Sequence, residues 1–375
     1  MKLIDRYVGQ GVFVTALFGV VVLSLVLVLG NLFKEVLDLI INHEVPLQYV
    51  LLFMLYVLPF SLTFTIPWGF LTALLLVFGR MSADNELIAL RASGVSIPRV
   101  CVPVLALAVL LAGVCFYINA DIAPRAEQQM TNMIFQIATN NPASLFSADQ
   151  VVDQFPDRRV YVGAKSGDRL KNILVFEIDE EAHITKFVYA REGELSSDPA
   201  NQRLLMRLFN ARFEQRDEND PANLQKIRQG IVVDEGVFPI SLDAMYRENQ
   251  RGRRLSAYTL PDLVREIRDE KPMPRLGFEH GRLQTEVEIN KRLSASLACM
   301  AFALIAIPLG ITAHRKETSI GFAFSLIIAF TYFFFIILAD TFRDNPAAHP
   351  SLLIWIPNVI FVSLGSYLFM RLAKR

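Results

Sequence analysis

Histidine and cysteine, from which most metal and nucleophilic sites are built, are scarce in this sequence: five and three among 375 residues. The histidines (His43, His183, His280, His314 and His349) are scattered, with no His-Glu-x-x-His pair and no Gly-x-Ser-x-Gly elbow. No Gly-x-x-x-x-Gly-Lys-Ser/Thr loop is present to cradle phosphates, which excludes ATP hydrolysis by that route. Cys101, Cys115 and Cys299 lie in or beside apolar runs, so the polar middle of the chain carries neither a disulfide framework nor a Cys-based metal site. An excess of one charge is missing too. The 37 Lys and Arg balance 37 Asp and Glu, and nothing points to a nucleic-acid partner. The expectation is a non-catalytic chain without metal or cofactor, leaving open only a site assembled from distant residues.

Apolar residues are what the sequence has in plenty. At 53% hydrophobic, with 28 Phe, it is too apolar for an ordinary soluble protein, while 20% charged is too much for a wholly embedded one. Six apolar runs are long enough to span a bilayer: about 12–32, 47–78, 100–118, 293–313, 320–338 and 352–370. The first follows Lys2 and Arg6 like a signal peptide, but it is too long and lacks a small-x-small cleavage site, so it reads as an uncleaved helix. Pro59 and Pro67 predict a tilted, kinked second span.

Between Asn119 and Lys291 the composition turns polar. Short alternating stretches (159–162, 173–178, 186–190, 204–209 and 211–215) are separated by Ser166-Gly-Asp168 and Ser196-Ser-Asp-Pro199. Strands at this spacing predict a sandwich or jelly roll rather than βαβ units. Thr259 and Pro261 mark the start of a short helix. The expected fold is an α-helical membrane protein of six transmembrane helices, three plus three, with an inserted all-β, jellyroll-like domain. Its expected divisions are 1–118, 119–291 and 292–375.

Basic residues in short loops orient the spans. Lys2, Arg6, Arg80, Arg91, Arg99, Arg315, Lys316, Arg371, Lys374 and Arg375 share one side, against Lys34 and Arg343 on the other. Both termini are therefore expected in the cytoplasm and the β domain beyond the membrane. The span interiors are nearly clean of ionisable residues; Lys34, Glu35, Asp38, Asp340 and Arg343 sit at span ends. That disfavours an ion-coupled transporter and suits a permease handling an amphiphile along a lipid-facing seam.

The polar island Gly79-Arg-Met-Ser-Ala-Asp-Asn-Glu-Leu-Ile-Ala-Leu-Arg-Ala-Ser-Gly-Val-Ser96 separates the second and third spans. The pattern predicts a short helix, about 82–94, with Asp84 as its cap and Glu86 where the dipole favours an anion. Leu87 and Leu90 fall on one face, and Gly94 is placed to end the helix in a left-handed turn. On spacing alone this is a solvated loop helix or a device for transmitting force between spans.

The wording of that island, with Leu58-Pro-Phe-Ser-Leu-Thr-Phe-Thr-Ile-Pro67 before it, resembles the signature of the LptF/LptG (YjgP/YjgQ) permease family. Glu288-Ile-Asn-Lys-Arg-Leu-Ser294 with Pro308-Leu309, and Leu3-Ile-Asp-Arg-Tyr-Val8, resemble the family's fourth-span entry and amino terminus. The resemblance implies an inner-membrane subunit of the ABC transporter that extracts lipopolysaccharide and passes it to a periplasmic jellyroll bridge. Its implied partners are a homologous permease, a cytoplasmic ATPase dimer, lipopolysaccharide and membrane lipids. It implies a coupling helix docked on the ATPase, with Glu86 as the central contact and Leu87, Leu90, Arg91 and Gly94 around it. For Arg91 the plainer reading, a marker of the cytoplasmic side, is the favoured one. Lys34 matches the place where basic residues of the family meet lipid A phosphates, and Arg125 is a weaker candidate of that kind. A snorkelling Lys34 paired with Asp38 and an interfacial Arg125 are the plain alternatives. A membrane-anchored assembly or sensor protein whose β domain binds a protein partner is the competing function; only short loops face the cytoplasm to carry its output.

Overall fold

Apolar runs longer than a bilayer is thick fold as helices, because in lipid the backbone must satisfy its own hydrogen bonds. The computed structural model describes residues 3–31, 47–140, 146, 148–152, 158–178, 184–198, 203–216, 227–241, 255–269, 282–312 and 318–374. Its first half runs α1 (Leu3–Asn31), α2 (Leu47–Ala83), a short α3 (Glu86–Ala92) and α4 (Ile97–Tyr117). A π-helical turn, Ile118–Ile122, joins α4 to α5 (Ala123–Asn140). After the strands come a 3-10 turn (Leu255–Ala257), α6 (Leu260–Asp269), α7 (Arg282–Thr312), α8 (Thr318–Thr341) and α9 (Pro350–Lys374). Among the described residues six helices are long and apolar enough to cross a membrane, three on each side of the strands. α2 runs unbroken through Pro59 and Pro67 for 37 residues, about 55 Å at helical rise and well beyond a bilayer core.

The spans are not equivalent. In α7 67% of the most apolar stretch is buried against the protein, in α1 only 11%, so α7 is the central post and α1 the outlying one. Phe70, Leu74, Phe78 and Met81 of α2 pack with Phe302, Ile305 and Ala306 of α7 and with Tyr332 of α8. The Phe302 and Tyr332 rings meet edge to face, centroids 5.1 Å apart. Lipid offers no hydrophobic drive for helices to associate, so close backbone approach at small residues matters more. Gly69 lets α2 touch α1: an added Cβ would lie 2.8 Å from Val20 Cγ2. Gly365 does the same for α9, where a Cβ would sit 2.6 Å from the Leu304 carbonyl carbon. A buried hydrogen bond, Ser24 to Thr65 at 2.8 Å, adds a polar tie between α1 and α2.

The described residues in the middle of the chain form one antiparallel sheet of six strands: β1 (Gln150–Val152), β2 (Arg158–Ser166), β3 (Arg169–Ile178), β4 (Ile184–Asp198), β5 (Arg203–Arg216) and β6 (Ile227–Ser241). Their order in space is their order in sequence. The inserted β domain expected from the sequence is therefore present, and among the described residues its strands form a simple meander. Gly167 turns β2 into β3 with φ +60°. Ser196 to Asp198, expected to break the chain, lie inside β4 instead, paired with Leu205 to Arg203.

A crease crosses this sheet. Val162 pairs with Ile173 and Ala164 with Lys171, but Gly163 and Asn172 between them do not pair. The same gap recurs between Ala190–Ala211 and Glu192–Phe209, and between Ala211–Val233 and Phe209–Glu235. Asn172 and Asn210 stand in this row with φ of +53° and +51°. A left-handed residue resets the alternation of a strand, and asparagine tolerates that conformation better than most. Leu170 and Ile173 are accordingly both fully buried although three apart, as are Leu208 and Ala211. Both flanks of the crease thus face one core, closed by Phe146, Val160, Val175, Val188 and Met206. Gly193 leaves room at the inner angle, where a Cβ would meet Ile173 Cδ1 at 2.4 Å.

Candidate functional site

α3 is held between α2 and α4 by apolar contacts on one side and backbone geometry at both ends. Leu87 is buried, and Leu90 and Val95 pack against the same membrane core. Asn85, not Asp84, occupies the cap position; it takes a left-handed φ of 58° and makes no side-chain cap bond. The reason is the tightness of the turn. The Asp84 amide still bonds back to Arg80, only Asp84 and Asn85 separate α2 from α3, and Asn85 makes the reversal. The other end follows the sequence expectation. Gly94 has φ +86°, its amide bonds to the Arg91 carbonyl, and the Val95 amide bonds to Leu90. This paired closure, with Val95 against Leu90, satisfies the last carbonyls of the helix.

Two contacts tie α1 to this loop. The Glu86 carboxylate accepts hydrogen bonds from the Tyr7 hydroxyl, and Arg99 at the start of α4 forms a 2.8 Å ion pair with Asp5. Ser82 donates to the Ile311 carbonyl at 2.7 Å, joining the ends of α2 and α7. The opposite side of α3 is open. Ile88 is 56% exposed, and Ala89 and Arg91 are exposed with it. A seven-residue helix anchored by Leu87 and presenting an isoleucine has the form of a knob set on the membrane core.

The chain matches the family described as "Lipopolysaccharide export system permease LptF/LptG" over residues 6–371, nearly its full length. It belongs to the LptF/LptG family. Comparison with curated proteins finds no match. Membership makes this chain a multi-pass permease subunit of lipopolysaccharide export, from a class of subunits that is not itself catalytic.

The other LptF/LptG residues singled out from the sequence are far apart. Lys34, with Glu35 and Asp38, lies outside the described residues. Arg125 stands in the first turn of α5, 67% exposed, and pairs with Asp121 at 2.6 Å. Glu288 and Arg292, one turn apart on α7, are bonded to each other at 3.0 Å and are both buried. Among the described residues no three His, Cys, Asp or Glu side chains gather as a metal site would require.

Ile88 escaped the sequence reading. Its signal was there, as a large apolar residue off the Leu87–Leu90 stripe of a polar loop. The approach of Cys115 to Cys299, sulfurs 3.9 Å apart between α4 and α7, spans 184 residues of sequence and had no linear signal.

Proposed function

We propose that this chain is one of two homologous permeases of an ABC exporter that lifts lipopolysaccharide from the inner membrane and passes it to a periplasmic bridge. The observation that carries the reading is the family match over residues 6–371, together with a loop helix whose Leu87 is buried in the span core while Ile88 is exposed. A lone exposed isoleucine is ordinary in itself; set on the loop helix of a permease of this family, it is a contact for a covering protein.

In this reading a cytoplasmic ATPase dimer covers α3. Glu86 and Arg91 supply charge at its two ends, Leu87 and Leu90 carry the load into the spans, and Gly94 closes the helix. The excess of basic residues on the α3 side supports a cytoplasmic placement of this loop and of both termini. The β domain then lies in the periplasm. Its last described strand, β6, is one of the two edges of the sheet; it exposes Val232 and Val237 and offers a backbone edge on which a bridge protein can add a strand. Lys34 and Arg125 are the cations proposed to meet lipid A phosphates, with Arg125 doing so as a member of its Asp121 pair.

The test is affinity purification in mild detergent from membranes of the native host. Wild type should bring down an ATPase and a second permease. Ile88→Asp and Glu86→Lys should lose the ATPase and keep the second permease. If wild type from an intact membrane complex brings down no ATPase, the exporter reading fails.

A further inference from the structure

The stretch Glu288-Ile-Asn-Lys-Arg292 sends Asn290, Lys291 and Arg292 to three different neighbours, with Glu288 shared between the two cations. Asn290 accepts from Trp355 Nε1 of α9 at 3.0 Å. Lys291 pairs with Asp340 of α8 at 3.0 Å and with Glu288 at 3.4 Å. Arg292 uses its whole guanidinium: Nε donates to Glu288 at 3.0 Å, Nη1 to the Tyr258 carbonyl at 2.6 Å, and Nη2 to Leu255 and Ser256 at 3.1 and 3.0 Å. Its side chain is only 5% exposed.

The carbonyls it gathers belong to the turn through which the chain returns from the β domain towards the fourth span. Ser256 of that turn donates to Glu127 of α5 at 2.8 Å. α5 is the outward extension of the third span, through which the chain leaves for the β domain. The returning stem therefore meets the fourth span at one buried guanidinium, to which the outgoing stem is joined through Ser256–Glu127 and the fifth span through Lys291, paired with both Asp340 and Glu288.

Burying this ion pair is poor value as stabilisation, since apolar residues of similar volume often do as well or better. α7 already has an apolar core on most of its faces. What a planar, five-donor cation adds is a fixed geometry between elements that apolar packing would leave free to slide.

We propose that Arg292 is a positioning residue that locks both stems of the β domain to α7 and Lys291–Asp340, so that movement of the spans reaches the β domain as a rigid displacement. The proposal rests on the exporter reading and adds the place where membrane work is handed on. Without the lock, ATP hydrolysis continues while its displacement is lost in a loose joint.

The experiment uses the complete exporter, permease pair plus ATPase, in vesicles containing lipopolysaccharide, and measures lipid delivered to a soluble bridge protein per ATP hydrolysed. Arg292→Met should hydrolyse ATP near the wild-type rate and lower that ratio by about tenfold or more, given how strongly breaking a buried pair perturbs its surroundings. Arg292→Lys, a single point charge, should recover little of it. Ser256→Ala, which removes one hydroxyl and no charge, should lower the ratio by a smaller factor. An unchanged ratio in Arg292→Met, with hydrolysis and delivery falling together, overturns the proposal and leaves a merely structural residue. If Arg292→Met fails to assemble, an unchanged ratio in Ser256→Ala overturns it instead. Wild type delivering no lipid at all would sink the exporter reading and not the joint alone.

Discussion

The hydroxyl of Tyr7 reaches both carboxylate oxygens of Glu86, at 3.3 and 3.2 Å, across 79 residues of sequence. With Asp5–Arg99 on the far side of the loop, it makes the first turns of α1 a strap over α3. The least buried span is therefore the one lashed directly to the loop helix.

Tyr7→Phe removes the Tyr7–Glu86 half of the strap and leaves Asp5–Arg99 in place. The site is largely exposed, so the loss is about 1 kcal/mol or less. Amide exchange over residues 86–92 should rise up to about fivefold, with exchange in α2 and α7 unchanged. Unaltered exchange in α3 would show that Leu87 and Leu90 hold it alone.

Gly69→Ala should weaken the α1–α2 crossing, because the new methyl meets the Val20 backbone nitrogen at 2.9 Å and neither helix can shift without losing packing. About 1–3 kcal/mol of destabilisation is expected, read as a lower melting midpoint in detergent. Gly113→Ala is the control. Nothing lies within 4 Å of its Cβ, and removing a helical glycine should leave stability equal or up to about 1 kcal/mol higher.

Asn210 tests the crease. Asn210→Val forces a β-branched side chain into a left-handed conformation and should cost about 1–2 kcal/mol, while Asn210→Gly should be neutral. Limited proteolysis of the full-length protein, read between residues 203 and 241, distinguishes the two.

Glu266 gives a pH dependence outside the spans. Its Oε2 is buried without a hydrogen-bond partner among the described residues, and burial pushes the carboxyl above its ordinary 4.5. An acid raised in the folded state contributes stability that is complete below its ordinary value and lost as pH rises through the raised one. Glu266→Gln should therefore melt higher than wild type at neutral pH and equally near pH 4. A wild-type advantage at neutral pH would mean that the carboxylate has found a partner.

The spans and the loop helix were legible because their signals are local: apolar runs, Leu87 and Leu90 three apart, a glycine where a helix must end. The tight reversal at Asn85 was not, since it depends on how far α2 continues. Residues 204–209 and 211–215 read as separate stretches because the alternation fails between them. That failure is Asn210 in the crease, and the two are one strand, β5. Its meaning emerges only when five strands are aligned. The carbonyls that Arg292 gathers lie 34 to 37 residues away in a turn with no apolar pattern of its own. A sequence shows which residues are costly to bury, but not what they are buried with.

The strand order of the β domain has a consequence for how the protein is made. Each strand from β2 onward pairs with the one synthesised just before it. In the orientation proposed above, the loop between the third and fourth spans is threaded across the bilayer, and every arriving segment finds its template already in place. The domain can assemble as it emerges, with no early strand waiting exposed for a distant partner. Among the described residues the end strands β1 and β6 each keep an open side, and that of β6 becomes available last, when the rest is complete.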